Sequence, residues 1–155
     1  MLLWLLVFTI GVSAGLRSMT PPAIVAWMAQ SHWPAVRDSP LAFMSAAAAA
    51  WIWTGLALGE LVADKQAFMP SRLAPGGLGA RIVSGGLCGA VLCVAGHQSL
   101  AAGAVLGALG GIAGAFAGYH IRRNLVTRAG WPATAVALGE DAVAIALALL
   151  AVSLV

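Results

Sequence analysis

The sequence predicts an all-α, polytopic transmembrane helix bundle of about five membrane segments, the first of them broken or re-entrant. Three observations carry this. Hydrophobic residues make up 61% of the 155-residue chain and charged residues 8%, where a soluble domain carries roughly 25% charged residues. The apolar residues fall in runs separated by short polar stretches, and several runs reach the ~20 residues that cross a bilayer. Alanine (34) and glycine (19) fill about a third of the chain, which suits helices packed backbone to backbone. The length fits about one domain. So little charge excludes a water-facing globule, and this much apolar residue excludes intrinsic disorder.

The first segment covers residues 2–29. It lacks the positive flank of a signal peptide, although Val12-Ser13-Ala14 has the small residues of a cleavage site. Arg17 and the pair Pro21-Pro22 interrupt it, giving either one broken span or a re-entrant pair of half-helices. Residues 30–40 form a polar loop, and the second segment covers 41–63. Residues 64–79 are the longest loop, followed by segments at 80–96 and 100–119 that the turn His97-Gln98-Ser99 makes antiparallel neighbours. Residues 120–132 form a basic loop and 133–155 the fifth segment.

That turn puts loops 64–79 and 120–132 on one side. With Arg81 they carry six of the eight basic residues, so this side is expected to be cytoplasmic in a bacterial inner membrane. Five spans then place the N-terminus inside and the C-terminus outside. The same bias explains the net charge of +3 without nucleic acid, because the basic residues make no continuous face.

Gly103, Gly107, Gly111, Gly114 and Gly118 recur at steps of four, four, three and four, a helix face without side chains. Gly85 and Gly89 repeat the pattern one segment earlier. These faces predict a zipper-like packing and suggest a homo-oligomer. Ala57-Leu58-Gly59-Glu60 recurs as Ala137-Leu138-Gly139-Glu140, a possible trace of an inverted repeat. Cys88 and Cys93 read as small buried residues rather than a redox or metal pair. The six tryptophans read as interfacial anchors and the three histidines as residues of loops and span ends.

The candidate site residues are the charges that fall within spans. Glu60 and Asp64 lie four apart on one helix face. Glu140 and Asp141 sit roughly 12 Å into the fifth helix at 1.5 Å per residue. A charge at such depth costs about 2.5–3.5 kcal/mol on insertion scales. All four acids fall towards one side and are expected to meet, either as a proton or cation site or as a salt-bridge network with Arg81, Arg122 and Lys65. Arg17, roughly 22 Å from the start of its helix, is placed in the outer half of the bilayer beside the proline break. No spacing selects a metal, no cofactor motif is present, and no Ser/His/Asp or cysteine nucleophile arrangement is visible.

The strings Ala14-Gly15-Leu16-Arg17-Ser18, Gly59-Glu60, Ala63-Asp64-Lys65 and Glu140-Asp141-Ala142 resemble a family of small bacterial integral membrane proteins described as a domain of unknown function. The likeness runs from Gly11 to about Ala146. It implies a polytopic membrane protein with these charged positions at its centre, and it implies no reaction. The function expected from the residues is a small transporter or channel-like protein, with Glu60 and Glu140 binding a proton or cation and Arg17 or Arg81 engaging an anionic group of a solute. Its partners are then the bilayer and a small ion or solute. A membrane enzyme working on lipid headgroups and a non-catalytic scaffold are the alternatives.

Overall fold

The computed structural model describes residues 1–63 and 74–155. Every regular element among them is helical: α1 (Leu2–Leu16), α2 (Thr20–Ser31), α3 (Pro34–Arg37), a 3-10 turn (Ala42–Ser45), α4 (Ala47–Ala63), α5 (Pro75–Ala95), α6 (Leu100–Thr127) and α7 (Ala133–Ser153). Three of them, α5, α6 and α7, are long and apolar enough to cross a membrane, while α1 and α4 are shorter apolar helices.

The first apolar stretch is two helices. Arg17 takes an extended conformation (φ −137°, ψ 113°) and ends α1. Pro21 and Pro22 lie in the first turn of α2, where an absent N–H costs no helical hydrogen bond. The prolines therefore open the second helix rather than kink a continuous one.

Neighbouring contacts fix the direction of each helix. Gly96, at the end of α5, packs against the Leu3 side chain, whereas Gly15 faces Gly111 and Gly114 of α6. Thus α1 runs antiparallel to α5 and parallel to α6. Ser13 bonds to Ala144 and Arg17 to Asp141, so α7 is antiparallel to α1. Met19 bonds to Glu60 and Trp27 to Thr54, so α4 is antiparallel to α2. The buried core then shows where α2 goes. Val25, Ala26 and Ala29 of α2 share one cluster with Leu6 and Val7 of α1, Leu92 and Cys93 of α5, and Ala151 and Val152 of α7. The α2 helix doubles back along α1, and the chain turns at Arg17–Met19.

Of the two forms expected for the first segment this is the re-entrant pair of half-helices, so the placement of the termini that five full spans implied does not follow. Because residues 2–29 fold back rather than cross, Met1, the His97 turn and Val155 share one end of the bundle. Thr127 and Ala133, with Ala63 and Pro75, lie at the other, so the two termini are on the same side rather than on opposite sides. The predicted boundaries also shift. Helix α6 continues eight residues past Tyr119 to Thr127, so Arg122 and Arg123 stand on a helix rather than in a loop. Helix α5 begins at Pro75, inside the predicted 64–79 loop.

The glycine faces are used inside the chain. A Cβ at Gly107 would overlap the Gly85 carbonyl oxygen, and one at Gly11 would overlap the Gly107 carbonyl oxygen. Helix α6 is held between α1 and α5 at backbone contact, which only glycine permits. Oligomer contacts through these faces are therefore pre-empted. At the α5–α6 turn the N–H of Gln98 donates to the Cys93 carbonyl (2.7 Å) and that of His97 to Val94 (3.1 Å), a Schellman cap. His97 takes its left-handed position with φ +54°.

Candidate functional site at the break between two half-helices

The turn between α1 and α2 lies inside the bundle, where the C-terminal end of one short helix and the N-terminal end of another come together. Such ends carry partial negative and positive charge and unpaired backbone groups. Each is met by a side chain of opposite sign. At the start of α2, Glu60 of α4 accepts from the Ser18 N–H (2.9 Å) and the Ser18 hydroxyl (2.7 Å) on Oε1, and from the Met19 N–H (2.8 Å) on Oε2. At the end of α1, Arg81 of α5 donates through Nε to the Gly15 carbonyl (3.0 Å) and through Nη1 to Gly77 within its own helix (2.9 Å). The Ser84 hydroxyl donates to the Ser18 carbonyl at 2.5 Å.

Arg17 itself is among the largest fully buried side chains of the protein, 1% exposed. Its Nε donates to Asp141 Oδ1 and its Nη2 approaches the same oxygen, both at 2.5 Å. Asp141 is buried as well, at 8%. Ser13, one helical turn earlier on α1, donates its hydroxyl to the Ala144 carbonyl of α7 (2.7 Å). These two contacts tie α1 to α7 along one face. At the first residue of α2, the buried Thr20 Oγ1 has no hydrogen-bond partner, the one such side-chain atom among the described residues.

Of the four acids expected to meet, the three among the described residues, Glu60, Asp141 and Glu140, take separate partners. Glu60 serves the α2 N-terminus, and Asp141 serves Arg17. Glu140, although adjacent to Asp141, turns to Arg122 of α6 (3.5 Å). Adjacent helical positions point about 100° apart, so the two acids reach different neighbours. Among the described residues no three His, Cys, Asp or Glu side chains come together as a metal site. Asp64 and its neighbour Lys65 lie outside the described residues. Arg17 is not in the opposite half of the bundle from the acids, as a straight first span implied. The hairpin brings it level with Asp141.

Sequence reading missed Ser18 and Ser84. Ser84 is the only hydroxyl between residues 80 and 96, and an isolated hydroxyl in an apolar helix is a recognisable sign of an interhelical bond. Cys88 and Cys93 are both free and buried, as expected of small apolar residues.

No protein-family model, no curated protein and no solved structure matches the chain. The site's chemistry is therefore read from its geometry.

Proposed function

We propose that the protein is a small transporter of the bacterial inner membrane, in which a proton or cation acts at the break between α1 and α2. The observation that carries this reading is the pair of half-helix ends inside an apolar bundle, each held by a charge from another helix: Glu60 on α2 and Arg81 on α1. Broken helices with their ends at mid-bundle are the way secondary transporters build ion and solute sites. Ionisable groups at membrane depth are costly enough to mark a pathway.

The coupling chemistry follows from the partners. A proton on Asp141 weakens its hold on Arg17, whose guanidinium is of the kind that engages an anionic group of a solute. A proton or cation at Glu60 loosens the start of α2, and the unsatisfied Thr20 Oγ1 one residue on offers an additional oxygen. In this reading loops 64–79 and 120–132 face the cytoplasm, Glu140 with Arg122 sets the register of α7 against α6, and any homo-oligomer forms through surfaces other than the glycine faces.

The test is charge displacement in reconstituted vesicles after a jump in proton, sodium or potassium concentration, with and without a panel of small anionic solutes. The reading expects a response in the native protein that is lost in both Glu60→Gln and Asp141→Asn. A silent native protein across all ions and solutes, with variants altered in stability alone, would leave the scaffold reading.

A further inference from the structure

A second feature adjoins the helix break at Leu16, the last residue of α1, and extends away from it. Towards the Thr127 end of the bundle, α6 and α7, with Leu16 of α1, line an apolar cavity of about 270 Å³. Its α6 wall includes Gly118, Ile121 and Leu125, its α7 wall includes Gly139 and Val143, and Trp131 stands at its margin. The volume is close to the lower bound of ~300 Å³ for small-molecule pockets. The cavity is only partly enclosed, so a linear molecule longer than the cavity can seat one portion and leave the rest outside. The absence of a Cβ at Gly139, where nothing stands within 4 Å, widens it on the α7 side.

The rim differs from the lining. Gly118, Ile121 and Leu125 follow one helix stripe at steps of three and four, and the next position on that stripe is Arg128. Arg122 stands beside it, half-buried against Glu140, and Arg123 is exposed on the same helix end. Arg122, beside the lining residue Glu140, and Arg128, on the lining stripe, thus stand at this end of the cavity, whereas Arg123, two positions from Ile121, points about 200° away from it. Trp131 is a residue type that settles at the membrane–water boundary. An apolar slot in the membrane that ends in a cationic rim at that boundary matches an amphiphile with an anionic head. A free anion finds no polar lining besides Glu140, and a zwitterionic head brings its own cation to Arg122 and Arg128.

We infer that the groove between α6 and α7 holds an acyl chain of an anionic phospholipid, its phosphate at Arg122 and Arg128. Basic pockets between transmembrane helices recognise headgroups of this class. The inference is independent of transport.

The full-length protein in neutral detergent tests it. Thermal unfolding is followed against added phosphatidylglycerol, phosphatidylcholine of identical chains, and inorganic phosphate, and retained lipid is counted by native mass spectrometry. Gly139→Leu fills the groove from a position with open space, and Arg128→Gln removes a proposed phosphate contact without touching the Arg122–Glu140 pair. The expected result is a saturable rise in unfolding temperature with phosphatidylglycerol and one lipid retained, since a ligand stabilises in proportion to its occupancy. That rise is absent with phosphatidylcholine and with phosphate, and it is reduced at least several-fold in both variants, whose helical circular dichroism is unchanged. Equal stabilisation by phosphatidylcholine, stabilisation by inorganic phosphate alone, or a full response in Gly139→Leu would each overturn the inference.

Discussion

Arg17 and Asp141, 124 positions apart in sequence, meet through two guanidinium nitrogens on one carboxylate oxygen, both at 2.5 Å and both side chains buried. The pair joins the end of α1 to the middle of α7. It makes the turn at residues 17–19 part of the core rather than a surface connection.

Removing one partner of a buried pair strands the other charge, at about 3–5 kcal/mol. Asp141→Asn is therefore expected to destabilise the detergent-solubilised protein by that order. The paired change Arg17→Met/Asp141→Leu is expected to recover most of the loss, because apolar replacement of a whole pair is often neutral. Denaturant titration of Arg17→Met, Asp141→Leu and the double variant measures the coupling. Additive losses would mean that the two side chains act separately.

The glycine contacts give a sharper contrast. Gly107→Ala puts a methyl group into the Gly85 carbonyl and is expected to cost about 1–3 kcal/mol or more as α5 and α6 separate. Gly139→Ala meets nothing within 4 Å and is expected to be neutral or to stabilise α7 by roughly 0.5–1 kcal/mol. Unfolding temperatures of the two variants, measured side by side, check the assignment.

At the α5–α6 turn, His97 occupies the left-handed position that glycine takes without steric cost. The left-handed conformation costs an L-residue about 1–2 kcal/mol, and glycine gives part of that back as backbone entropy. His97→Gly is therefore expected to stabilise by about 0.5–1 kcal/mol in a thermal melt. A loss of stability would show that the imidazole makes a contact worth more than the strain.

Glu60 works on the α2 N-terminus through two backbone N–H groups and a hydroxyl. Glu60→Gln keeps one acceptor oxygen but presents an NH₂ to the remaining donor. Capping losses of this kind are about 1–2 kcal/mol. The expected change is confined to the start of α2, so hydrogen exchange should quicken at Ser18, Met19 and Ala23, Pro21 and Pro22 having no amide hydrogen, and stay unaltered in α5 and α6.

Much of the bundle was legible in the residues. The antiparallel α5–α6 pair followed from the short turn at His97, and its intimacy from glycines spaced at one helical turn. The interruption near Arg17 was legible because a charge and two prolines coincide there. Its direction was not. Whether Leu2–Ala29 crosses or folds back depends on which helices cover Val25 and Ala29, and composition alone does not supply that. The pairing of the acids was hidden for a similar reason. Glu140 and Asp141 are equivalent in a linear reading, and only the helical rotation between them sends one to Arg122 and the other to Arg17. Glu60 was picked out by its cost in an apolar span, but its partners are mainly backbone N–H groups, which no residue pattern announces.

The central claim is that the α1–α2 break is a working ion site rather than a fixed joint. Cysteine accessibility at that point tests it most directly. In a background with Cys88 and Cys93 replaced by alanine, Met19→Cys is labelled in proteoliposomes with a membrane-impermeant maleimide, with and without a proton or cation gradient. The expected result is labelling whose rate changes with the ion, and Glu60→Gln abolishes that dependence. A position that is never labelled, or is labelled at one rate under every ionic condition, would contradict it.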